Sequence, residues 1–271
     1  MTRSRVLRAQ HATILAAGLR DRGFAVCDLG LPSSTLSGLR EEALGLHTSR
    51  DEPEFFSAVG KNQHRGDLIG WLGARGAAAR KLRHLPLALD ILLSELPAVL
   101  RDDGIAAPSR RVLPPAAAML SLYQDGAAYA AHRDGVRASH RGARGFAAAV
   151  ARALWTRGGA GALVEAANLG SQVAQREYTA ILYLNAEDWC ARRDGGALRI
   201  FGGCDEDDDA GGSATDVEDV APVGGRLVVF DSRAILHEVL PATRVRLAMT
   251  AWLLNEEAVL GERTAASLIT D

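Results

Sequence analysis

Residues 225–254 read GRLVVFDSRAILHEVLPATRVRLAMTAWLL, and this stretch decides the fold. Its first run, residues 225–232, and its last run, residues 246–254, have the two-residue period of β-strands. The first run contains Val228, Val229 and Phe230, the second is rich in Leu and contains Trp252, and Pro241 lies between them. The stretch therefore predicts two strands with a single histidine, His237, between them.

Three more runs of this kind lie between Arg111 and the first of these strands. They are VLPPAAAMLSLY (112–123), EYTAILYLN (177–185) and GALRIFGG (196–203). Short strands at such a spacing predict a sandwich or jelly roll with helices packed outside it. We therefore expect an α+β fold that is mainly β.

The N-terminal third is mostly helical in pattern. Residues 33–47, SSTLSGLREEALGLH, predict an amphipathic helix capped by Ser or Thr, and residues 85–104 predict another helix that Gly104 ends. An earlier helix, which leads into the strand-like GFAVCDL (23–29), has one face made of Leu7, Ile14, Leu15 and Gly18.

We divide the chain into three parts: residues 1–110, which pack on the core; a strand-rich core, residues 111–256; and a tail, residues 257–271. Two insertions interrupt the core. The first, at about 135–175, is rich in arginine, and the second, at about 204–219, is acidic and rich in Gly and Ser. We expect both to be solvated loops, the second a mobile hairpin loop. The first directly follows His132 and Asp134, so it could bind a substrate, act as a lid or only border the surface there.

Composition excludes several classes of protein. The 271 residues suffice for a large core, and 31 Lys and Arg against 33 Asp and Glu give no overall attraction to a polyanion or an anionic membrane. No apolar run reaches the length of a membrane span, and we find no signal peptide. Three widely spaced cysteines argue for a reducing compartment, so we expect a cytoplasmic or nuclear protein; the arginines near the N-terminus leave organelle import open.

His132 and Asp134 form a candidate metal clip. In a strand, residues i and i+2 point to the same face, so both side chains would face one metal while Arg133 points away. His237 could complete the coordination from a non-neighbouring strand. Two imidazoles and one carboxylate leave positions open for a co-substrate and O2, as in non-heme Fe(II) oxygenases. The other histidines are expected at the surface or in structural roles: His11, His47, His64, His84 and His140.

The last run has two different faces. One face carries Arg246, Ala248, Thr250 and Trp252, and the other carries Leu247, Met249, Ala251 and Leu253. The second face is apolar and suits the core. On the first face, Arg246 can either reach solvent or lie in a pocket for which the small Ala248 leaves room. An arginine can clamp a carboxylate through two parallel hydrogen bonds, and Thr250 can add a third. A dicarboxylic keto acid that also chelates iron fits such a pocket.

Together these residues resemble a known family, the 2-oxoglutarate and Fe(II)-dependent dioxygenases, and within it the prolyl hydroxylases of the hypoxia-sensing type. The matching positions are Tyr123, Gly126, Tyr129, His132 and Asp134; Arg176, Thr179, Tyr183, Leu184, Asn185 and Trp189; GGALRIF (195–201); and His237 through Arg246 to Trp252. Upstream, RGDLIGW (65–71) is similar as well. The Arg-rich insertion departs from the short connection of that family.

The resemblance implies a double-stranded β-helix, a form of jelly roll, with the metal between its two sheets. The iron ligands it implies are His132, Asp134 and His237. The residues we expect to bind 2-oxoglutarate are Arg246, Tyr183, Thr250, Tyr123 and Trp252. Arg246 would bind the distal carboxylate of 2-oxoglutarate. The residues predicted to be catalytic are therefore the three iron ligands and Arg246.

The expected activity is therefore O2- and 2-oxoglutarate-dependent hydroxylation of a peptidyl proline, with ascorbate as a reductant. The alternatives are hydroxylation of a small molecule or another side chain, and a non-catalytic metal-binding jelly roll that acts as a sensor or scaffold. The expected partner is a proline-containing protein or peptide. We expect no membrane partner, because the net charge is near zero and no apolar run is long enough to span a bilayer. We expect no nucleic acid either, because the basic insertion lacks interleaved aromatic residues beyond Phe146 and Trp155. The sequence leaves the oligomeric state open.

Overall fold

Two antiparallel sheets and a group of helices build the described part of the chain. The structure is a computed structural model that describes residues 5–52, 55–58, 64–102, 111–135, 173–202 and 216–259. Several regions lie outside the described residues. They are most of the Arg-rich insertion, which includes His140, together with Gly104 and residues 203–215 and 260–271. None of the described helices is long and apolar enough to cross a bilayer.

The helices lie mainly before the sheets in the chain. They are α1 (Ala9–Arg22), α2 (Ser33–Thr48), α3 (Ala74–Ala79), α4 (Leu85–Asp90), a π-helical segment (Ile91–Glu95), α5 (Leu96–Asp102) and α6 (Ala191–Asp194).

Eleven strands are assigned in the described residues. They are β1 (Phe24–Asp28), β2 (Leu68–Leu72), β3 (Val112–Leu113), β4 (Ala118–Tyr123), β5 (Tyr129–His132), β6 (Arg176–Tyr183), β7 (Leu198–Gly202), β8 (Asp216–Val220), β9 (Arg226–Asp231), β10 (Leu236–Val239) and β11 (Arg246–Asn255). The major sheet has the order β1-β9-β6-β11-β4-β2, with β3 also paired to β11. The minor sheet has the order β5-β10-β7-β8.

Two apolar cores separate three layers. One core joins the helices to one face of the major sheet and includes Leu15, Leu39, Leu92 and Met249. The other joins the opposite face of that sheet to the minor sheet. Alternate side chains of β11 point into the two cores. Those that face the helices are Leu247, Met249, Ala251 and Leu253. The jelly-roll fold class that the sequence predicted is therefore confirmed.

Several local predictions need correction. Helix α2 is present, but Pro32 occupies its N-cap position, and the Ser33 hydroxyl donates to Glu187 instead of capping the helix. In α1, Leu15 is buried whereas Ile14 is 44% exposed, so the predicted apolar face is only partly correct.

The helix predicted over residues 85–104 is three helical segments in sequence, α4, the π-helical segment and α5. Pro97 has no N–H to donate to the carbonyl of Leu93, so the regular i to i−4 ladder cannot pass this point. The predicted acidic loop is too long by four residues, since residues 216–219 belong to β8. Ion pairs from Arg22 to Glu218 and from Arg199 to Asp219 offset the charge of this acidic strand.

Candidate active site

Strands β5 and β10 bring the two histidines together. They are antiparallel neighbours in the minor sheet, with His132 directly opposite His237. The expectation that His237 comes from a non-neighbouring strand is therefore wrong. Asp134 lies two residues beyond the end of β5 but still faces His132, and the Arg133 guanidinium points away to the carbonyl of Ala234.

The three side chains can hold one metal ion. The His132 Nε2 lies 3.6 Å from Asp134 Oδ1, the His237 Nε2 lies 3.7 Å from Asp134 Oδ2, and the three ligand atoms all lie within 4.8 Å of one another. Bonds of about 2.1 Å at right angles would place neighbouring ligand atoms about 3 Å apart. A small inward movement of the side chains therefore gives metal-ligand geometry.

Backbone carbonyls select the histidine tautomer that a metal needs. The Nδ1 atoms of His132 and His237 lie 2.8 Å from the Ala130 carbonyl oxygen and 3.2 Å from the Ile235 carbonyl oxygen. A carbonyl only accepts hydrogen bonds, so each Nδ1 carries a proton, and in the neutral form of the imidazole the lone pair is then on Nε2. Both lone pairs are thus available on the side that faces Asp134.

The charges of the three groups also suit a cation. Burial alone would raise the pKa of the Asp134 carboxyl, but its interactions with His132, His237 and Arg176 outweigh burial and hold this pKa well below its usual range. Burial lowers the pKa of His237, against the opposing effect of Asp134. The site therefore offers an ionised carboxylate and a neutral buried imidazole, as metal binding requires.

Arg246 lies at the start of β11 and is 2% exposed. Its guanidinium carbon lies 4.8 Å from the ring centre of Tyr123 and 5.1 Å from that of Tyr183. Its Nε donates to the Gly196 carbonyl oxygen at 2.8 Å, and no carboxylate of the described residues pairs with it. A buried guanidinium without an acidic partner predicts that an anionic ligand supplies one.

Tyr183 supports this interpretation. Its hydroxyl is buried and donates no hydrogen bond to any of the described residues. Burial raises the pKa of Tyr183, so the hydroxyl keeps its proton and can donate to a carboxylate. The two groups together leave several donors beside one another for the distal end of a dicarboxylate.

Two glycines make room for this arrangement. Gly195 and Gly196 have φ angles of +65° and +69°, which favour glycine. A Cβ on Gly195 would lie 2.2 Å from the Pro241 carbonyl oxygen, and one on Gly196 would lie 2.9 Å from Arg246 Cδ. The GGALRIF motif is thus explained by the close approach of the loop before β7 to the arginine.

A cavity of about 160 Å³ connects the metal ligands to Arg246. Seven of the eight predicted site residues line it: Tyr123, His132, Asp134, His237, Arg246, Thr250 and Trp252. Tyr183 is the eighth, and its ring packs beside the Arg246 guanidinium. The structure thus brings all eight residues together, and their individual roles stay predictions.

Other residues around the cavity were not assigned a role from the sequence. Tyr129 stacks on His132 with ring centres 3.8 Å apart. The Arg65 guanidinium lies 4.7 Å from the centre of the Tyr129 ring and pairs with Asp67 at 2.6 Å. Arg176 lies 4.0 Å from the Trp252 ring centre and donates to the Asp134 carbonyl oxygen. Their presence in the quoted motifs was the available signal.

A sequence model of the 2OG-Fe(II) oxygenase superfamily matches residues 118–254, just over half of the chain. The chain belongs to the 2OG-Fe(II) oxygenase superfamily. The predicted 2-oxoglutarate-dependent dioxygenase is therefore confirmed, and Fe(II), 2-oxoglutarate and O2 are the reactants that this family implies. No curated protein sequence gives a significant match to this oxygenase.

Solved structures share the fold of this oxygenase. A Trichoplax adhaerens prolyl hydroxylase, in complex with a peptide fragment of the hypoxia inducible factor oxygen degradation domain, is 21% identical over 92% of this chain and 91% of its own, with a TM-score of 0.59. A Pseudomonas putida prolyl-4-hydroxylase is 24% identical over 90% and 99%, with a TM-score of 0.54. The non-heme alpha ketoglutarate dependent epimerase SnoN from nogalamycin biosynthesis is 12% identical over 92% and 82%, with a TM-score of 0.54. At these identities the likeness establishes the fold.

Proposed function

We propose that this oxygenase hydroxylates a prolyl residue of a protein or peptide and converts 2-oxoglutarate to succinate and CO2. The observation that carries the proposal is the single cavity that holds the three metal ligands at one end and the unpaired guanidinium of Arg246 at the other. One dicarboxylic keto acid would span these two features. The donor set fits Fe(II), since imidazole nitrogens and a carboxylate oxygen suit this ion.

In this proposal His132, Asp134 and His237 hold Fe(II). Bound Fe(II) would let O2 oxidise and decarboxylate 2-oxoglutarate, with one oxygen atom passing to succinate and the other to a C–H bond of the substrate. Arg246 and the Tyr183 hydroxyl would bind the distal carboxylate, and the side chains of Tyr123, Thr250 and Trp252 would line the space around the co-substrate. The protein thus supplies position and exclusion of water.

The size of the cavity supports a macromolecular substrate. Pockets that enclose a whole drug-sized ligand usually have about 300–1,000 Å³, whereas this cavity has about 160 Å³, which the co-substrate must share. The space that remains suits one inserted side chain of a larger molecule. At the rim Trp71 is 53% exposed, and its ring centre lies 5.8 Å from that of Trp252. An exposed indole at the mouth can pack against an apolar residue such as proline.

The motif matches upstream and downstream of the metal ligands support the prolyl assignment, as does the peptide complex of the Trichoplax adhaerens relative. Hydroxylation of a small molecule is the second candidate, because the SnoN epimerase from nogalamycin biosynthesis has the same fold. The non-catalytic alternative is disfavoured by the intact set of candidate ligands together with the buried Arg246, which pairs with no carboxylate of the described residues.

Ascorbate as reductant and a cytoplasmic or nuclear location belong to the same proposal. Two observations support a reducing compartment: within the described residues Cys27 and Cys190 form no disulfide, and Cys27 is buried. Omission of ascorbate should shorten the period of linear turnover. Detection of the tagged protein only in the secreted fraction would contradict the location.

The experiment combines the protein with Fe(II), 2-oxoglutarate and pools of peptides, half of which contain proline and half of which have alanine at the same positions. We expect peptide-dependent succinate formation and a mass increase of one oxygen atom on proline-containing peptides only. His237→Ala should abolish both signals. Equal stimulation by the alanine pools, or turnover with small organic acids alone, would favour the second candidate, and activity retained by His237→Ala would contradict the assigned site.

A further inference from the structure

Behind Asp134, two buried hydroxyl groups form a chain that leads away from the metal site. Thr179 Oγ1 lies 2.8 Å from Asp134 Oδ2, and Ser232 Oγ lies 2.8 Å from Thr179 Oγ1. Thr179 and Ser232 are both 0% exposed. Neither residue lines the cavity, so neither can touch a substrate.

The direction of these hydrogen bonds follows from the chemistry of the groups. An ionised carboxylate accepts hydrogen bonds and donates none, so Thr179 must donate its one hydroxyl proton to Asp134 Oδ2. The Thr179 oxygen then accepts from its other neighbour, and Ser232 must be the donor. The chain therefore runs one way, from Ser232 through Thr179 to Asp134.

The backbone fixes both hydroxyl groups. Thr179 lies in the middle of the major sheet, opposite Phe230 on β9 and Trp252 on β11. Ser232 follows β9; its N–H donates to the Glu177 carbonyl oxygen at 3.0 Å, and its carbonyl accepts from the Gly135 N–H at 2.8 Å. The last bond joins the turn after β9 to the residue next to Asp134. The hydroxyl pair is therefore held by strands.

We infer that Thr179 and Ser232 are positioning residues that hold the Asp134 carboxylate so that Oδ1 binds the metal as a single ligand atom. The hydrogen bond from Thr179 uses a lone pair of Oδ2 and fixes the rotation of the carboxylate, while Oδ1 stays near His132 Nε2. A ligand held at one oxygen leaves more of the metal open to other groups. This inference rests on the proposed metal site.

The test measures binding of Co(II) to the full-length protein by calorimetry and by the visible absorption of the bound ion. Thr179→Val has nearly the same shape without the hydroxyl, and we expect it to weaken Co(II) binding by roughly 10- to 100-fold and to change the absorption spectrum. Thr179→Ser keeps the hydroxyl and should restore most of the affinity and the wild-type spectrum. Ser232→Ala should have a smaller effect in wild type and none in Thr179→Val, because Ser232 acts only through Thr179.

Three controls separate this inference from the metal site and from folding. Thr243→Val removes a hydroxyl that donates to the Arg193 carbonyl oxygen at an exposed position, and it should bind Co(II) like wild type. Wild-type affinity and spectrum in Thr179→Val, or additive losses in the double variant, would overturn the positioning role while the metal site stands. Equal Co(II) binding by wild type and His237→Ala would overturn the metal site and, with it, this inference.

Discussion

At the scale of single residues, Gly196 decides where Arg246 can lie. With alanine at position 196, the added methyl group would lie 2.9 Å from Arg246 Cδ and 3.1 Å from Ala242 Cβ, on a backbone with φ of +69°. We expect Gly196→Ala to raise the KM for 2-oxoglutarate about tenfold and to lower the free energy of unfolding by about 1–3 kcal/mol. Turnover kinetics and urea denaturation measure these effects.

Gly45 provides the matched control. It lies inside α2, and a Cβ there would meet nothing within 4 Å. Gly45→Ala should therefore leave KM unchanged and raise the free energy of unfolding by about 0.5–1 kcal/mol. A Gly196→Ala enzyme with wild-type KM would show that this glycine does not position the arginine.

Cys27 makes stability depend on pH in the alkaline range. Burial, with a contribution from Asp28, raises the pKa of the Cys27 thiol from 9.0 to about 11. The folded state therefore holds this proton more tightly than the unfolded chain, and the free energy of unfolding should fall as the pH rises from about 9 to about 11. The fall is at most about 2 kcal/mol.

Urea denaturation at pH 8 and pH 10 checks the sign for Cys27. Wild type should lose more stability between these pH values than Cys27→Ala, since alanine has no proton to release. Equal losses in the two proteins would contradict the assigned cause.

Strand phase alone predicted the face shared by Arg246, Thr250 and Trp252, because a two-residue period can be read from the sequence. The role of Ser232 could not be predicted in this way. Its hydroxyl meets Thr179, 53 residues earlier, only because β9 pairs with β6 in one register. The pairing register of two distant strands cannot be read from the sequence of either strand.

At the scale of elements, Asn185 ties the end of β6 to the start of β11. Its side-chain oxygen accepts from the Leu247 N–H at 2.8 Å, and its side-chain nitrogen donates to the Pro222 carbonyl oxygen at 2.7 Å. Asn185 is 0% exposed, so Asn185→Ala leaves two buried backbone groups without partners. The expected loss in the free energy of unfolding is about 2–5 kcal/mol.

Chemical denaturation measures this loss, and Asn255→Ala is the comparison. Asn255 lies half-buried at the end of β11, where water can replace its bonds to Glu177 and the Ala258 N–H. The same substitution there should cost less. If both variants lost equal stability, Asn185 would not be the tie between the two strands.

The elements that the sequence predicted are those with long, regular patterns, such as β11 and α2. The strand β8 was not predicted, because its five residues carry too little alternation to be distinguished from a loop. In β8 the acidic composition also indicated a loop. The strand is stabilised by its pairing with β7 and by ion pairs from Arg22 to Glu218 and from Arg199 to Asp219.

At the scale of the whole molecule, the site exists because two sheets meet. The predicted metal ligands come from β5, β10 and the turn after β5 in the minor sheet, whereas Arg246 comes from β11 in the major sheet. Jelly-roll class could be predicted from short strands and their spacing. The strand order could not, because it depends on which distant strands pair, and the conclusion that both parts form one site needed the resemblance or the structure.

The central claim is that His132, Asp134, His237 and Arg246 form one site for Fe(II) and 2-oxoglutarate. An anaerobic titration of the Fe(II)-loaded protein with 2-oxoglutarate tests it most directly, because a keto acid chelated to Fe(II) gives a visible charge-transfer band. Wild type should develop this band to saturation, and His237→Ala should give none. Arg246→Gln should reach the same final absorbance but need roughly 10- to 100-fold more 2-oxoglutarate. No band in wild type, or a wild-type titration curve for Arg246→Gln, would contradict the claim.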